Sequence, residues 1–329
     1  MASIRKRGNT WQAIIARGGV RKSATWDTKA QAVAWAAHEE SRILAARHGE
    51  IPPGITFGQL LERYRDEVVV NKRGEKWETT RINMILRDDP IANILLTNFA
   101  EPNVAAWRDR RLKSVSGSSV LREWTILSHA CTIATKEWRW LKHNPFKEVS
   151  RPEGNPSRSR RPTPVEVECL LRTLVCDPQV TPVTKTARVG FAFLFALETA
   201  MRAGEIVGLK WADITGHTAV LRMTKNGHGR VVPLSREALR LISLLPHTGP
   251  DGSVFQIESQ QLDFMFRRAT AKALIEDLHF HDSRREALTR LAKKLSPMEL
   301  AKVSGHRDLR ILLNVYYAPD VADMASRIG

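Results

Sequence analysis

The sequence predicts a mainly α-helical chain with small β-sheets, divided into three domains. Three observations carry that expectation. Near the N-terminus, strand-length runs are separated by glycine turn pairs. Further on, apolar residues recur at helical spacing behind capping-box signatures. A proline- and arginine-rich stretch with almost nothing apolar, residues 151–162, then interrupts the helical part. At 329 residues the chain exceeds one ordinary domain.

Ser3 to Arg7, Thr10 to Arg17 and Val20 to Trp26 are parted by Gly8-Asn9 and Gly18-Gly19, as in a three-stranded antiparallel sheet. Asp27 or Thr28 then caps a helix from Lys29 to about His48, with Ala32, Trp35, Ala36 and Ile43 on one side. Arg5, Lys6, Arg7, Arg17, Arg21 and Lys22 make this sheet basic, and a narrow basic sheet fits the DNA major groove. Residues 1–50 therefore read as a module of their own.

Residues 55–150 read as all helical. Thr56-x-x-Gln59 is a capping box ahead of Leu60, Leu61 and Tyr64. Helices are expected over Pro102 to Leu112 and Ser118 to Leu141, the latter carrying Trp124, Leu127, Ile133, Trp138 and Trp140 and ending at Asn144-Pro145. Arg108, Arg110, Arg111 and Lys113 follow Trp107; they either face phosphates or form an ordinary solvated face. In the linker, Arg151, Arg158, Arg160 and Arg161 would suit a DNA backbone.

The third unit, 163–329, opens with Thr163-Pro164-Val165-Glu166, a cap, a first-turn proline and a glutamate that reaches back. His217 to Thr224 and Arg230 to Leu234 flank Lys225-Asn226-Gly227-His228-Gly229, which reads as a hairpin with a glycine-rich tip. Ser296-Pro297-Met298-Glu299 is another capping box, and Gly305 ends its helix.

Lys+Arg of 51 against Asp+Glu of 35 leaves a net charge of +16, which points to a polyanionic partner. The most apolar run, Val189 to Leu197, is too short for a bilayer, which takes roughly 20 residues. Met1 to Val20 has no signal-peptide core, so no membrane partner is expected. Cys131, Cys169 and Cys176 form no CxxC pair and fit a reducing cytoplasm.

Against that background a few side chains stand out for phosphate chemistry. Arginine suits a phosphoryl transition state because its planar fork stays charged and pairs bidentately. Arg202 follows the apolar helix beside Glu205, either as such a clamp or in a structural ion pair. His281-x-x-Arg284, expected at a strand-to-helix junction, offers an acid or base and a second clamp. Lys225 at the hairpin is placed to protonate a departing 5′-oxygen, or is a solvated turn lysine. Ser304-Gly305-His306 adds another imidazole. Tyr316 and Tyr317 are two of only 3 tyrosines, and a phenol attacks phosphorus once a base or positive field removes its proton. A tyrosine pair packing a C-terminal helix is the plainer alternative.

Together these residues resemble the tyrosine recombinase family, particularly phage-type integrases. Thr199 to Trp211 looks like the family's first arginine box. Thr224-Lys225, Phe280-His281-Asp282-Ser283-Arg284, Ser304-Gly305-His306 and the tyrosine follow in family order. By that resemblance, 1–50 is an arm-type DNA-binding module, 55–150 a core-binding domain, 151–162 a linker and 163–329 the catalytic domain. Arg202 and Arg284 would bind the scissile phosphate, Lys225 would be the general acid, and His281 and His306 would assist. The tyrosine would form a 3′-phosphotyrosine and release a 5′-hydroxyl. A homotetramer on two double-stranded DNA sites would exchange strands through a Holliday junction, with no metal or nucleotide cofactor. The chain accordingly has neither a Walker A motif nor HExxH. The resemblance also admits a DNA-bending or directionality protein as an accessory partner. It implies the integrase of a prophage or other mobile element.

Two departures qualify it. The family's tyrosine falls about nine residues after the second-box histidine, a place taken here by Val315; aligning back from Asp323 to Gly329 favours Tyr316 over Tyr317. Arg285 stands where many members have histidine. A type IB topoisomerase-like enzyme and a DNA-binding protein that has lost catalysis are the alternative readings.

Overall fold

The computed structural model describes residues 2–17, 20–48, 54–222 and 229–317. The Gly18-Gly19 turn, the hairpin tip with Lys225, and the tail from Ala318 lie outside the described residues, as do the side chains of Arg17 and Ile43. The chain forms two compact units, Met1–Ser157 and Arg158–Gly329, dividing inside the proline-rich stretch.

The first unit opens with β1 (Ser3–Arg7), β2 (Thr10–Arg17) and β3 (Val20–Trp26), antiparallel in that order. Arg5 lies opposite Gln12, and Ala13 opposite Ala24. Strand periodicity turns Ala13 and Ile15 to one face, where they pack with Ala32 and Ala36 of α1 (Lys29–His48). Thr28 is the cap: its hydroxyl accepts the Gln31 N–H and its own N–H donates to Gln31 Oε1. Arg5, Lys6, Arg7 and Arg21 are exposed, while Lys22 pairs with the buried Glu39 at 3.0 Å.

A second apolar cluster of this unit is built by α2 (Phe57–Glu67), α3 (Glu75–Asp88), α4 (Glu101–Leu112) and α5 (Gly117–Lys136). The Thr56–Gln59 capping box forms as the sequence expects. Trp107, Trp124 and Phe146 meet edge-on or tilted, with centroids 5.0–6.2 Å apart. Both indole N–H groups lack an acceptor among the described residues. Each ring nevertheless removes about 150–250 Å² from water, worth roughly 4–6 kcal/mol. That outweighs the roughly 1–3 kcal/mol of an unpaired donor.

Two expectations for this unit change. The helix expected to reach Leu141 stops at Lys136: Trp138 N–H bonds back to Ile133, Trp140 N–H to Ala134, and Arg139 turns left-handed at φ 57°. Trp138 and Trp140 instead pack around Arg63, 4.4 and 4.7 Å from their ring centroids. The arginines after Trp107 are engaged by carboxylates, Arg110 by Asp89 and Arg111 by the buried Glu123 in a two-pronged pair.

The second unit contains α6 (Pro164–Thr173), α7 (Lys185–Thr199), α8 (Ala203–Val207), β4 (Ile214–Thr215), β5 (Thr218–Leu221), β6 (Arg230–Pro233), α9 (Arg236–Ser243), α10 (Ser259–Lys272), α11 (Asp282–Ala292), α12 (Pro297–Ser304) and α13 (Leu309–Tyr316). The apolar α7 is the core helix: Val189, Phe191, Phe193 and Phe195 are fully buried, and α9, α10 and α11 pack around it. The expected hairpin is part of a three-stranded antiparallel sheet, since Ile214 and Thr215 pair with β5. Gly229 at its edge has no room for a side chain: a Cβ there would stand 2.8 Å from Leu221 O. Among the described residues no helix is long and apolar enough to cross a membrane.

Candidate active site

The site begins where α7 ends. Ala200 adopts φ 55°, and this left-handed residue stops the helix and turns the chain toward Arg202. Arg202 is the N-cap of α8, and Glu205 reaches back to it: the carboxylate accepts the Arg202 N–H at 2.8 Å and Nη1 at 2.9 Å. Arg230, the first residue of β6, donates Nη1 and Nη2 to the same carboxylate, both at 2.7 Å, and its Nε to Val303 O at 2.8 Å. Burial alone would push the Glu205 carboxyl up. Arg230, the Arg202 N–H and the Arg202 guanidinium outweigh it and hold the group at about 2.

Arg284 enters from α11 with 3% of its surface exposed. Its Nη2 donates to Ser304 O at 2.6 Å and its Nη1 to Ala200 O, so it ties the α7–α8 corner to the end of α12. The contact with Ala200 O also fastens the left-handed residue. Burial first, then repulsion from Arg202 and Arg230, lowers the Arg284 guanidinium to about 10. Arg202 and Arg230 thus share one carboxylate while Arg284 is held by backbone carbonyls alone, and the surplus positive charge suits an anion.

Gly305 ends α12 at φ 72°, where a glycine carries the chain away without strain. His306 follows, its Nδ1 2.7 Å from Ser304 Oγ. The Ser304 hydroxyl donates its only proton to Leu300 O at 2.6 Å, so Nδ1–H must be the donor to Oγ. Burial, then Arg284, Arg202 and Arg230, push the imidazole down to about 4. At neutral pH the ring is therefore neutral, with the lone pair on Nε2, and can accept a proton.

His281 is exposed and immediately precedes α11, lining a cavity of about 450 Å³ with Ala203, His279, Phe280 and Arg267. The expected strand before it is a turn, because Asp282 folds back: its carboxylate accepts the His279 N–H at 2.8 Å and its own N–H donates to His279 O. Lys225 lies outside the described residues.

The two tyrosines differ. Tyr317 donates its hydroxyl to Leu295 O, and burial raises its pKa. Tyr316 ends α13 half-buried, with the Arg285 guanidinium 5.8 Å from its ring centroid. Burial raises its phenol, while Arg285 and then Arg284 pull it down.

Sequence reading missed Arg230. The signal was there: strand alternation puts residue 230 on the same face as the buried Val232. Ser304, which sets the His306 tautomer, was seen only as part of a motif.

The phage integrase family profile matches residues 166–322. A Haemophilus influenzae protein named "Putative integrase/recombinase" is 43% identical over 331 residues, covering 98% of this chain and 89% of that protein. The shufflon-specific DNA recombinase of Escherichia coli is 36% identical over 270 residues, covering 78% and 68%. The chain belongs to the phage integrase family of tyrosine recombinases. Among solved structures, the lambda integrase dimer bound to a core site has a TM-score of 0.65 at 18% identity, over 95% of this chain and 94% of that one. The Tn1549 transposon integrase in complex with circular intermediate DNA has a TM-score of 0.66 at 19% identity, over 84% and 100%. These likenesses agree with the mainly helical fold and its N-terminal sheet.

Proposed function

We propose that the chain is a site-specific DNA recombinase that cleaves and rejoins double-stranded DNA through a covalent 3′-phosphotyrosine on Tyr316, without a metal. The observation that carries the reading is the gathering of Arg202, Arg284 and the neutral His306 in one positively charged cluster, with the Arg285 guanidinium over the Tyr316 ring. In this reading Arg202 and Arg284 neutralise the nonbridging oxygens as the phosphorus becomes five-coordinate. The Tyr316 oxygen forms the new bond to phosphorus and the bond to the 5′-oxygen breaks. The phenol proton leaves toward an imidazole acceptor, for which His306 Nε2 has the lone pair. Lys225 supplies the proton to the 5′-oxygen, and His281 assists at the phosphate. The freed 5′-hydroxyl of a partner strand then reverses the step.

The DNA-bound relatives support double-stranded DNA as substrate, and a lambda integrase tetramer bound to a Holliday junction supports four protomers as the assembly. We assign arm binding to residues 1–50, core binding to 55–150 and catalysis to 163–329, with 151–162 between them. A cytoplasmic prophage or mobile-element integrase fits these assignments.

The test is adduct formation on a nicked duplex carrying the recombination site from the DNA beside the gene, with EDTA present. Wild type and Tyr317→Phe form the covalent adduct; Tyr316→Phe binds the DNA and forms none. An adduct lost only in Tyr317→Phe would move the nucleophile by one residue. No adduct with the intact chain would favour a DNA-binding protein without catalysis.

A further inference from the structure

Residues 158–161 have no regular secondary structure, yet their arginines fasten them to the unit they open. Arg158 donates Nε and Nη2 to the Asp282 carboxylate at 3.2 and 2.9 Å. It also donates Nη1 to Asp277 Oδ1 at 2.8 Å and Nη2 to Asp277 O at 2.7 Å. Arg160 pairs with Glu166, and Arg161 stands 3.7 Å from Glu286. The linker arginines expected to follow a DNA backbone are thus, at 158 and 160, engaged by carboxylates of their own unit. Asp282 is 3% exposed and adjoins His281, so Arg158 neutralises a buried charge in the turn that carries the histidine.

The strap has a second link on its backbone. Arg158 O accepts Arg285 Nη1 at 2.7 Å, and that guanidinium is the one over the Tyr316 ring. A neutral carbonyl holds the arginine without cancelling its charge, as a carboxylate would, so its field still reaches the phenol. The charged groups acting on that phenol are Arg285 and Arg284, both of α11, while α12 and α13 present Leu300 and Leu312 to the same cluster.

We propose that Arg285 is a positioning residue for Tyr316 and that the Arg158 strap holds it in place, so that strand cleavage depends on the strap being seated on Asp277 and Asp282. This inference rests on Tyr316 being the nucleophile.

The experiment measures single-turnover adduct formation by the full chain on the same nicked duplex, with enzyme saturating, from about pH 6 to about pH 9. Arg285→Gln slows the adduct roughly tenfold near neutral pH, the size expected for a half-buried cation near an aromatic ring. It moves the rising limb of the profile to higher pH, because losing the cation raises the phenol's pKa, while DNA affinity stays unchanged. Arg285→Lys recovers part of the rate. Arg158→Gln also slows the step, but the double variant is no slower than Arg285→Gln alone. Arg158→Lys, which cannot span both carboxylates, replaces Arg158→Gln if that variant fails to fold. An unmoved pH limb in Arg285→Gln, or two rate losses that multiply in the double variant, would overturn the proposal. Failure of the nucleophile assignment is seen separately, as an adduct that survives Tyr316→Phe.

Discussion

Replacing Glu205 by glutamine removes the charge around which the site is assembled. The carboxylate accepts the Arg202 N–H, Arg202 Nη1 and both Arg230 Nη groups. Its pKa is held at about 2 against an ordinary 4.5, and one pH unit is worth about 1.4 kcal/mol. The interactions therefore contribute roughly 3 kcal/mol, with little loss to solvent screening because the side chain is 8% exposed. The folded pKa lies below the unfolded one. The contribution is thus complete above pH 4.5 and is lost as pH falls from there toward 2. Glu205→Gln should be less stable than wild type by about 3 kcal/mol at neutral pH, and that gap should narrow below about pH 4.5. Urea unfolding with pulsed hydrogen exchange, read from α7 and α8 peptides at a series of pH values, measures it. A gap that stays constant through the acid range, or a variant as stable as wild type at neutral pH, would refute the reasoning.

Two further substitutions probe helix ends of the same unit. Gly305→Ala places an L-residue at φ 72° with its Cβ 3.3 Å from Arg230 Cδ, so a loss of about 1–2 kcal/mol is expected in the same unfolding experiment. Thr163→Ala removes the hydroxyl that accepts the Glu166 N–H at 3.2 Å. It should cost about 1 kcal/mol and lower exchange protection in the first turn of α6, whereas Thr163→Ser should stay close to wild type.

What was legible in the sequence was local. The capping boxes at Thr56, Thr163 and Ser296 each form, because their contacts span only three residues and need no tertiary context. The N-terminal strands were legible from the glycine turn pairs that part runs of strand length. What escaped was long-range pairing. The end of α5 is set by Trp138 and Trp140 closing on Arg63, more than seventy positions away, and no propensity marks it. Arg202, Arg284 and His306 could be singled out as residue types. That Ala200 O, Val303 O and Ser304 O would be the acceptors joining their segments could not, since a backbone carbonyl carries no sequence signature. For the same reason the linker arginines read as surplus charge until their carboxylate partners were in view.

The aromatic cluster around Trp107 and Trp124 has a spectroscopic consequence. Of the 9 tryptophans, only Trp211 lies after Arg158. Intrinsic tryptophan emission will therefore report almost entirely on Met1–Ser157, and its transition will be blind to most of what happens around Arg202 and Tyr316. A Trp211→Phe variant would leave emission as a reporter of the first unit alone, so that unfolding seen by fluorescence and by exchange in α7 can be assigned to different halves of one chain.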